Sequence, residues 1–341
     1  MYRYPQSYVI SSPLDPMRDT LVLLEYLTAK DYLVSTLTSV HALSKSAANA
    51  RAERIMPHIR TAIAFIEQSL ATPTELCFLP AYYGILNLMK TYILLGPHHA
   101  ELSSQRWHGA TYPVEEKDSR NLLTEHVMLK NRGAIPLFYR TVTGRPIHST
   151  RITMGQIYPY VSNITAEYFL ATGNRSKIAA FKIDTIPYQP TGKKILMLQY
   201  LRQQGDVSQH SIRDFKGLRT FKQDQSKRDL FIGRPFPKTL SVRDKSYRNQ
   251  FRPFLLYGFK KDIVNMASCS KRLLLPEELP IALLFFHMSN VVRYKPEFLY
   301  RIRASRFWPM LAAARQHCLL RMLMLTWSYM HQKELVLEHH H

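Results

Sequence analysis

Cysteine is scarce in this chain, and its three copies, Cys77, Cys269 and Cys318, stand far apart. That spacing offers no Cys-x-x-Cys clip for zinc and no disulfide framework, so a reducing compartment is expected. Long apolar runs are missing too. Leu279 to Val292 is too short to cross a bilayer, and Leu311 to Met330 is interrupted by Arg315 and Arg321, so both read as buried or amphipathic helices. Met1 to Pro16 is polar and punctuated by proline, without the basic start and apolar run of a secretory signal. A cytoplasmic protein with no membrane partner is the expectation. The chain has no Walker A loop, no Gly-x-Gly-x-x-Gly turn, no His-Glu-x-x-His and no Gly-x-Ser-x-Gly elbow. Nucleotide hydrolysis, nicotinamide chemistry, zincin proteolysis and esterase chemistry of the usual kind therefore find no support, and no cofactor or metal is expected.

Acidic residues are few beside basic ones, 25 against 46, which leaves a net charge of +21. The excess is local: +1 over residues 1–100, +6 over 101–200, +9 over 201–260, +4 over 261–306 and +1 over the remainder. A one-sided charge of this kind repels itself unless an anionic partner matches it, and nucleic acid is the expected match. The basic stretch Arg213, Lys216, Arg219, Lys222, Lys227, Arg228, Arg234, Lys238, Arg243, Lys245, Arg248 and Arg252 is interleaved with Phe215, Phe221, Phe231, Phe236, Tyr247 and Phe251. Cations that meet phosphates, beside rings able to stack on unpaired bases, suit single-stranded or structured RNA or DNA better than a groove-reading helix.

An apolar content of 46% with 21% charged residues marks a globular chain, long enough for one large core or two smaller ones. Leu337 to His341 resemble a vector-encoded expression tag, which leaves 11 of the 14 histidines to carry any argument. Apolar residues at three- and four-residue steps predict two short helices between Asp15 and Leu43. A third is predicted from Ser44 to about Leu70, with Pro57 able to kink or split it. Ala81 to Leu95 reads as a helix buried on most sides, ending at Gly96-Pro97. Pro97 to Ser119 reads as a long loop. Glu125 to Lys130 is extended, Ala134 to Tyr139 a short helix, 153–172 helical, and Ile178 to Ile186 and Lys194 to Tyr200 are strands. Helices return after Pro276. The fold class is α+β, predominantly α, with helical N- and C-terminal parts around a smaller basic β-containing central region. Its expected boundaries are 1–120, 121–260, 261–336 (packing back on the N-terminal part) and the tag 337–341.

Several segments carry a resemblance. Ala48 to Leu70, then Pro80-Ala81-Tyr82-Tyr83-Gly84 with Lys90 on the same helix, then His108-Gly109, are similar to pieces of the YaaC-like family of bacteria. So are Val127 to Phe138 and Met288 to Tyr294 followed by Pro296-Glu297. The match runs through most of the chain in order, while residues 201–260 are more basic than the family leads one to expect. The resemblance implies an association with bacterial, anti-phage defence and a defence-system protein as a further partner. More distantly, the Tyr-Tyr helix before a His-bearing loop resembles the HEPN superfamily. That likeness implies a metal-independent RNase, acting across a homodimer through an Arg-x(4–6)-His motif.

Arg120 and His126 fit that spacing and are the candidate catalytic pair, the arginine to neutralise transition-state charge; Arg51 and His58 fit it as well. Arg106, Trp107 and His108 combine a cation, a stacking ring and a titratable group, and are candidate nucleic-acid contacts, with Gly109 allowing close backbone approach. The structural alternative has Trp107 packing on the Tyr82-Tyr83 helix. His98, His99 and His108 are a weaker zinc set, lacking a spaced acidic or thiol ligand. Tyr83 and Lys90, seven apart, share a helix face, and Arg293 ends an apolar helix, where a cation complements the dipole. A non-catalytic scaffold docking an acidic protein is the remaining reading.

Overall fold

In the computed structural model the described residues are 6–11, 14–105, 107–113, 121–174, 176–188, 193–200, 222–223, 230–232, 255–260, 263–267 and 275–338. The chain opens on β1 (Gln6–Ser11) and runs through helices α1 (Pro16–Glu25), α2 (Lys30–His41), α3 (Lys45–Ala71) and α4 (Phe78–Leu95). Strands β2 (Ala110–Thr111), β3 (His126–Leu129) and β4 (Thr150–Thr153) follow, with α5 (Ala134–Thr143) between the last two, and then α6 (Met154–Ile157) and α7 (Thr165–Thr172). A run of strands comes next: β5 (Ile178–Tyr188), β6 (Lys193–Tyr200), β7 (Lys222–Gln223), β8 (Leu230–Ile232), β9 (Leu255–Lys260) and β10 (Ile263–Ala267). Helices α8 (Glu278–Tyr294), α9 (Pro296–Arg303) and α10 (Trp308–His331) and strand β11 (Lys333–Glu338) complete it. The fold is α+β and predominantly α.

Contacts divide the chain into two units, one of residues 1–12, 177–277 and 332–341, the other of residues 13–176 and 278–331. The sequence places boundaries after residues 120 and 260. Residues 121–176 instead belong with the helices, because Val127, Leu129, Ile135, Phe138 and Ile157 are all completely buried there.

In the helical unit, α4 is the hub, packed on α3, α5, α8 and α10. Phe78, Ala81, Tyr82, Ile85, Leu88, Met89, Tyr92 and Ile93 have no exposed surface. Large side chains buried this fully contribute about 1.5–3 kcal/mol each. Gly84 permits the approach of α3: a Cβ there would stand 2.7 Å from Ile66 Cγ1. Helix starts follow local chemistry. Asp15 accepts from the Met17 and Arg18 amides at 3.0 Å each ahead of Pro16, and Ser44 accepts from Ala47 at 3.3 Å. Pro57 does not split α3, which is continuous over 27 residues. Arg315, which interrupts the apolar run of α10, reaches back to the C-terminal end of α3. Its guanidinium donates to the Ser69 carbonyl at 2.9 Å, to that of Leu70, and to Thr74 Oγ1 at 3.0 Å, satisfying carbonyls that the helix end leaves open. A three-stranded antiparallel sheet, β2-β3-β4, lies in the same unit.

The other unit carries a six-stranded antiparallel sheet in the order β7-β8-β6-β5-β10-β9. Phe181, Leu198 and Phe231 are buried in it, the Phe181 ring meeting Phe231 edge-on at 6.1 Å. Strands β1 and β11 pair in parallel from Gln6 with Lys333 to Ser11 with Glu338, so the pairing continues into the first two residues of the tag-like segment.

Candidate functional site

His108 stands at the centre of the most suggestive arrangement. Its loop leaves α4 at Gly96, turns through a short 3-10 segment at Glu101–Ser104 and arrives at α5. There the carbonyls of Trp107 and His108 accept the first amides of α5, from Ala134 at 3.0 Å and Ile135 at 2.9 Å, so the loop backbone serves as that helix's cap. Two glycines let the chains cross. Gly109 has φ +85° and Gly133 φ +121°, and a Cβ on Gly133 would stand 2.4 Å from Gly109 Cα. Gln105 Oε1 accepts the Gly133 amide at 2.8 Å.

Held in this way, the His108 ring lies against the Tyr82 and Tyr83 rings at 5.5 and 6.2 Å, and its Nδ1 is 2.7 Å from the Tyr82 hydroxyl. Burial, above all, raises the Tyr82 pKa, so the hydroxyl keeps its proton. With Tyr82 as the donor to Nδ1, the imidazole N–H stands at Nε2. Burial, then the charges of Lys90 and Arg293, lower the His108 pKa and favour the neutral ring. Lys90 is itself half-buried, and burial lowers its pKa. Arg293 is positioned by its own helix, donating to the Ser289 carbonyl and to Asn290 Oδ1 at 3.2 Å each. Neither cation has a carboxylate partner among the described residues. The charges of Lys90 on α4 and Arg293 on α8 thus both bear on His108 in the loop, and donors of this kind suit an oxyanion such as phosphate.

An open cleft of about 350 Å³ adjoins Lys90, lined also by Arg54, Pro57, His58, Leu94 and Gln105. Arg54 donates to the His99 carbonyl at 3.0 Å, while Glu53 on the rim is paired with Lys30 at 2.9 Å. The His58 ring has a fixed tautomer. Asn87 Nδ2 donates to the Tyr83 carbonyl at 2.9 Å, which turns Asn87 Oδ1 toward His58 Nδ1, also at 2.9 Å. Nδ1 therefore carries the proton and Nε2 a lone pair. Burial lowers the His58 pKa, opposed by the Asn87 bond and reinforced by Lys90 and Arg54.

A second cluster is buried. Glu125, 5% exposed, accepts from the Tyr112 hydroxyl and faces Lys295 Nζ at 3.6 Å and His287 Nε2 at 3.7 Å. Burial would raise the Glu125 pKa, but the His287 imidazole 3.7 Å away, the Tyr112 hydroxyl bond and the Lys295 ammonium bring it down to about 2. His287 is fully buried, neither ring nitrogen has a hydrogen-bond partner among the described residues, and burial lowers its pKa. The Tyr158 hydroxyl is likewise buried and has no hydrogen-bond partner among the described residues, its pKa raised by burial and then by Glu125.

Of the sequence candidates, His126 lies on β3, 5% exposed, its Nδ1 accepting from Arg151 at 3.0 Å. Arg120, Arg106, Arg213, Lys216, Arg219, Lys227, Arg228, Arg234, Arg243, Lys245 and Arg248 lie outside the described residues; Lys222 opens β7 and is exposed. Trp107 does not pack on the Tyr82-Tyr83 helix: it is 73% exposed, and His108 takes that place. His98 Nδ1 turns to Glu101 at 2.8 Å, and no group of three or more metal-ligating side chains occurs among the described residues. No described helix is long and apolar enough to cross a membrane. Sequence reasoning missed Arg54, the His58–Asn87 pair and the Glu125–His287–Lys295 cluster, whose members come from segments far apart along the chain.

No curated protein and no solved structure matches this chain. The model of the YaaC-like protein family matches residues 25–330, a span that contains Tyr82, Lys90, His108 and Arg293. By that match over nearly its whole length, the chain belongs to the YaaC-like family.

Proposed function

We propose that this YaaC-like protein binds nucleic acid, RNA or DNA, in the setting of bacterial anti-phage defence, and that a backbone phosphate is held by Lys90, His108 and Arg293. The observation that carries this reading is that the charges of Lys90 and Arg293, from segments distant in the chain, both bear on the His108 imidazole, with no carboxylate partner for either cation among the described residues. The net charge of +9 over residues 201–260 supports it by adding a long-range field that concentrates a polyanion. Exposed Trp107, beside His108 in the chain, is suited to stack on an unpaired base.

The metal-independent, HEPN-like RNase reading built on Arg120 and His126 has less behind it, since the His126 ring is buried and one nitrogen is already occupied by Arg151. Anisotropy titrations of labelled single-stranded RNA and DNA at 50 and 200 mM salt test the proposal. Affinity should fall steeply with salt, and Lys90→Ala and Arg293→Ala should each lower it and flatten its salt dependence by somewhat less than one phosphate's worth, a slope change of about 0.7. Salt-independent binding, or binding indifferent to both substitutions, would remove the proposal. Capture of an acidic protein in place of either nucleic acid would favour the scaffold reading.

A further inference from the structure

The cleft beside the phosphate site contains a feature that phosphate binding does not use. Its cations, Arg54 and Lys90, are donors, and Pro57, Leu94 and Leu102 supply apolar wall. Glu53 accepts from Lys30 through Oε1, Gln105 Oε1 accepts the Gly133 amide, and the Ser103 hydroxyl, free to rotate, donates to the Ala100 carbonyl. His58 is different. The chain of bonds from the Tyr83 carbonyl through the Asn87 amide to His58 Nδ1 leaves Nε2 as an oriented lone pair in a donor-rich cleft. An acceptor fixed in this way selects a ligand that brings a donor to it.

We infer that the cleft seats one ribonucleotide of a single strand and that His58 Nε2 accepts from its 2′-hydroxyl, so that the protein prefers RNA to DNA. The inference rests on the phosphate reading above, which brings the strand to Lys90. At about 350 Å³ the cleft lies at the small end of ligand pockets, which run from roughly 300 to 1,000 Å³; it admits one nucleotide unit and excludes a duplex. Within a strand both the 3′ and 5′ oxygens are esterified, so the sugar's remaining hydroxyl donor is the 2′-OH, the group that DNA lacks. Base amino groups are donors as well, but DNA carries them equally and they cannot produce a preference.

The test uses the full chain and three single strands of one sequence: RNA, DNA and 2′-O-methyl RNA, which keeps an oxygen but has no donor. RNA should bind on the order of fivefold more tightly than DNA, as one neutral hydrogen bond allows, and 2′-O-methyl RNA should bind like DNA. In His58→Phe the RNA-to-DNA ratio should fall to about one, with circular dichroism and the melting temperature checking the fold. Asn87→Leu, which frees the ring to change tautomer, should reduce the same ratio. Equal binding of RNA and DNA by the wild-type chain would overturn the inference and leave the phosphate site standing. A preference that survives His58→Phe would also overturn it. Failure to bind any of the three strands would overturn both.

Discussion

Replacing Glu125 by glutamine should be among the most damaging conservative changes in the helical unit. The substitution keeps the volume and removes the charge that Lys295 faces at 3.6 Å, in a site where the two residues are 5% and 8% exposed. Its size follows from the carboxyl's acidity: a pKa brought from an ordinary 4.5 to about 2 corresponds to about 3 kcal/mol of folding free energy. The cost of breaking a buried ion pair, about 3–5 kcal/mol, agrees with that figure. Urea denaturation at pH 7, followed by circular dichroism, should therefore show Glu125→Gln destabilised by about 3 kcal/mol. Lys295→Met should be destabilised comparably, and the double variant by clearly less than the two together. The pH dependence has a definite sign. Because the folded-state pKa is depressed, the contribution is fully present above pH 4.5 and is lost as pH falls toward 2, so wild type and Glu125→Gln should converge over that window. A difference below about 1 kcal/mol at pH 7, strict additivity in the double variant, or a gap that persists through acid would refute the reasoning.

Gly133→Ala should cost about 2–3 kcal/mol in denaturation and weaken nucleic-acid binding, because φ is +121° and the added Cβ would collide with Gly109 backbone at 2.4 Å; Gly144→Ala, at φ +70° with open space around it, should cost only roughly 1 kcal/mol. Tyr82→Phe removes the hydroxyl bonded to His108 Nδ1, and should weaken RNA binding about three- to tenfold with little change in circular dichroism; unchanged affinity would contradict the assigned role. Burial, the largest cause in each case, lowers the pKa values of His41, His58, His108 and His287, so the unfolded chain takes up more protons below about pH 6.5. Stability should be greatest above that pH and decline as pH falls from 6.5 toward 5, read as a falling melting temperature, and a flat profile would count against neutral imidazoles in the folded state.

Much of the helical framework was legible because each helix announces itself locally. Ser44 caps α3, and Gly96-Pro97 stops α4. The seven-residue step from Tyr83 to Lys90 put both on one face. What local pattern cannot convey is register between elements. His58 meets Asn87 only because α3 and α4 pack closely at Gly84, and nothing near either residue in the sequence signals the other. Glu125, His287 and Lys295 went unnoticed for the same reason, each reading alone as an ordinary strand-edge or helix residue. Pro57, which is able to kink or split a helix, does not split α3, whose Ile55, Ile59, Ala62 and Ile66 are buried in the core. The basic stretch of residues 201–260 remains a statement about charge, since nearly all of it lies outside the described residues.

The division of the chain bears on how the molecule is made. Each unit draws on residues both before and after the other's central span, and each needs chain from beyond residue 277: α8 to α10 in one, β11 in the other. A ribosome delivers residues in order, so neither unit can close as its first half emerges, and both wait on segments synthesised late. Until then the apolar surface of α4 lacks its cover from α8 and α10. Nascent chains halted near residue 270 should accordingly be the species on which chaperones act.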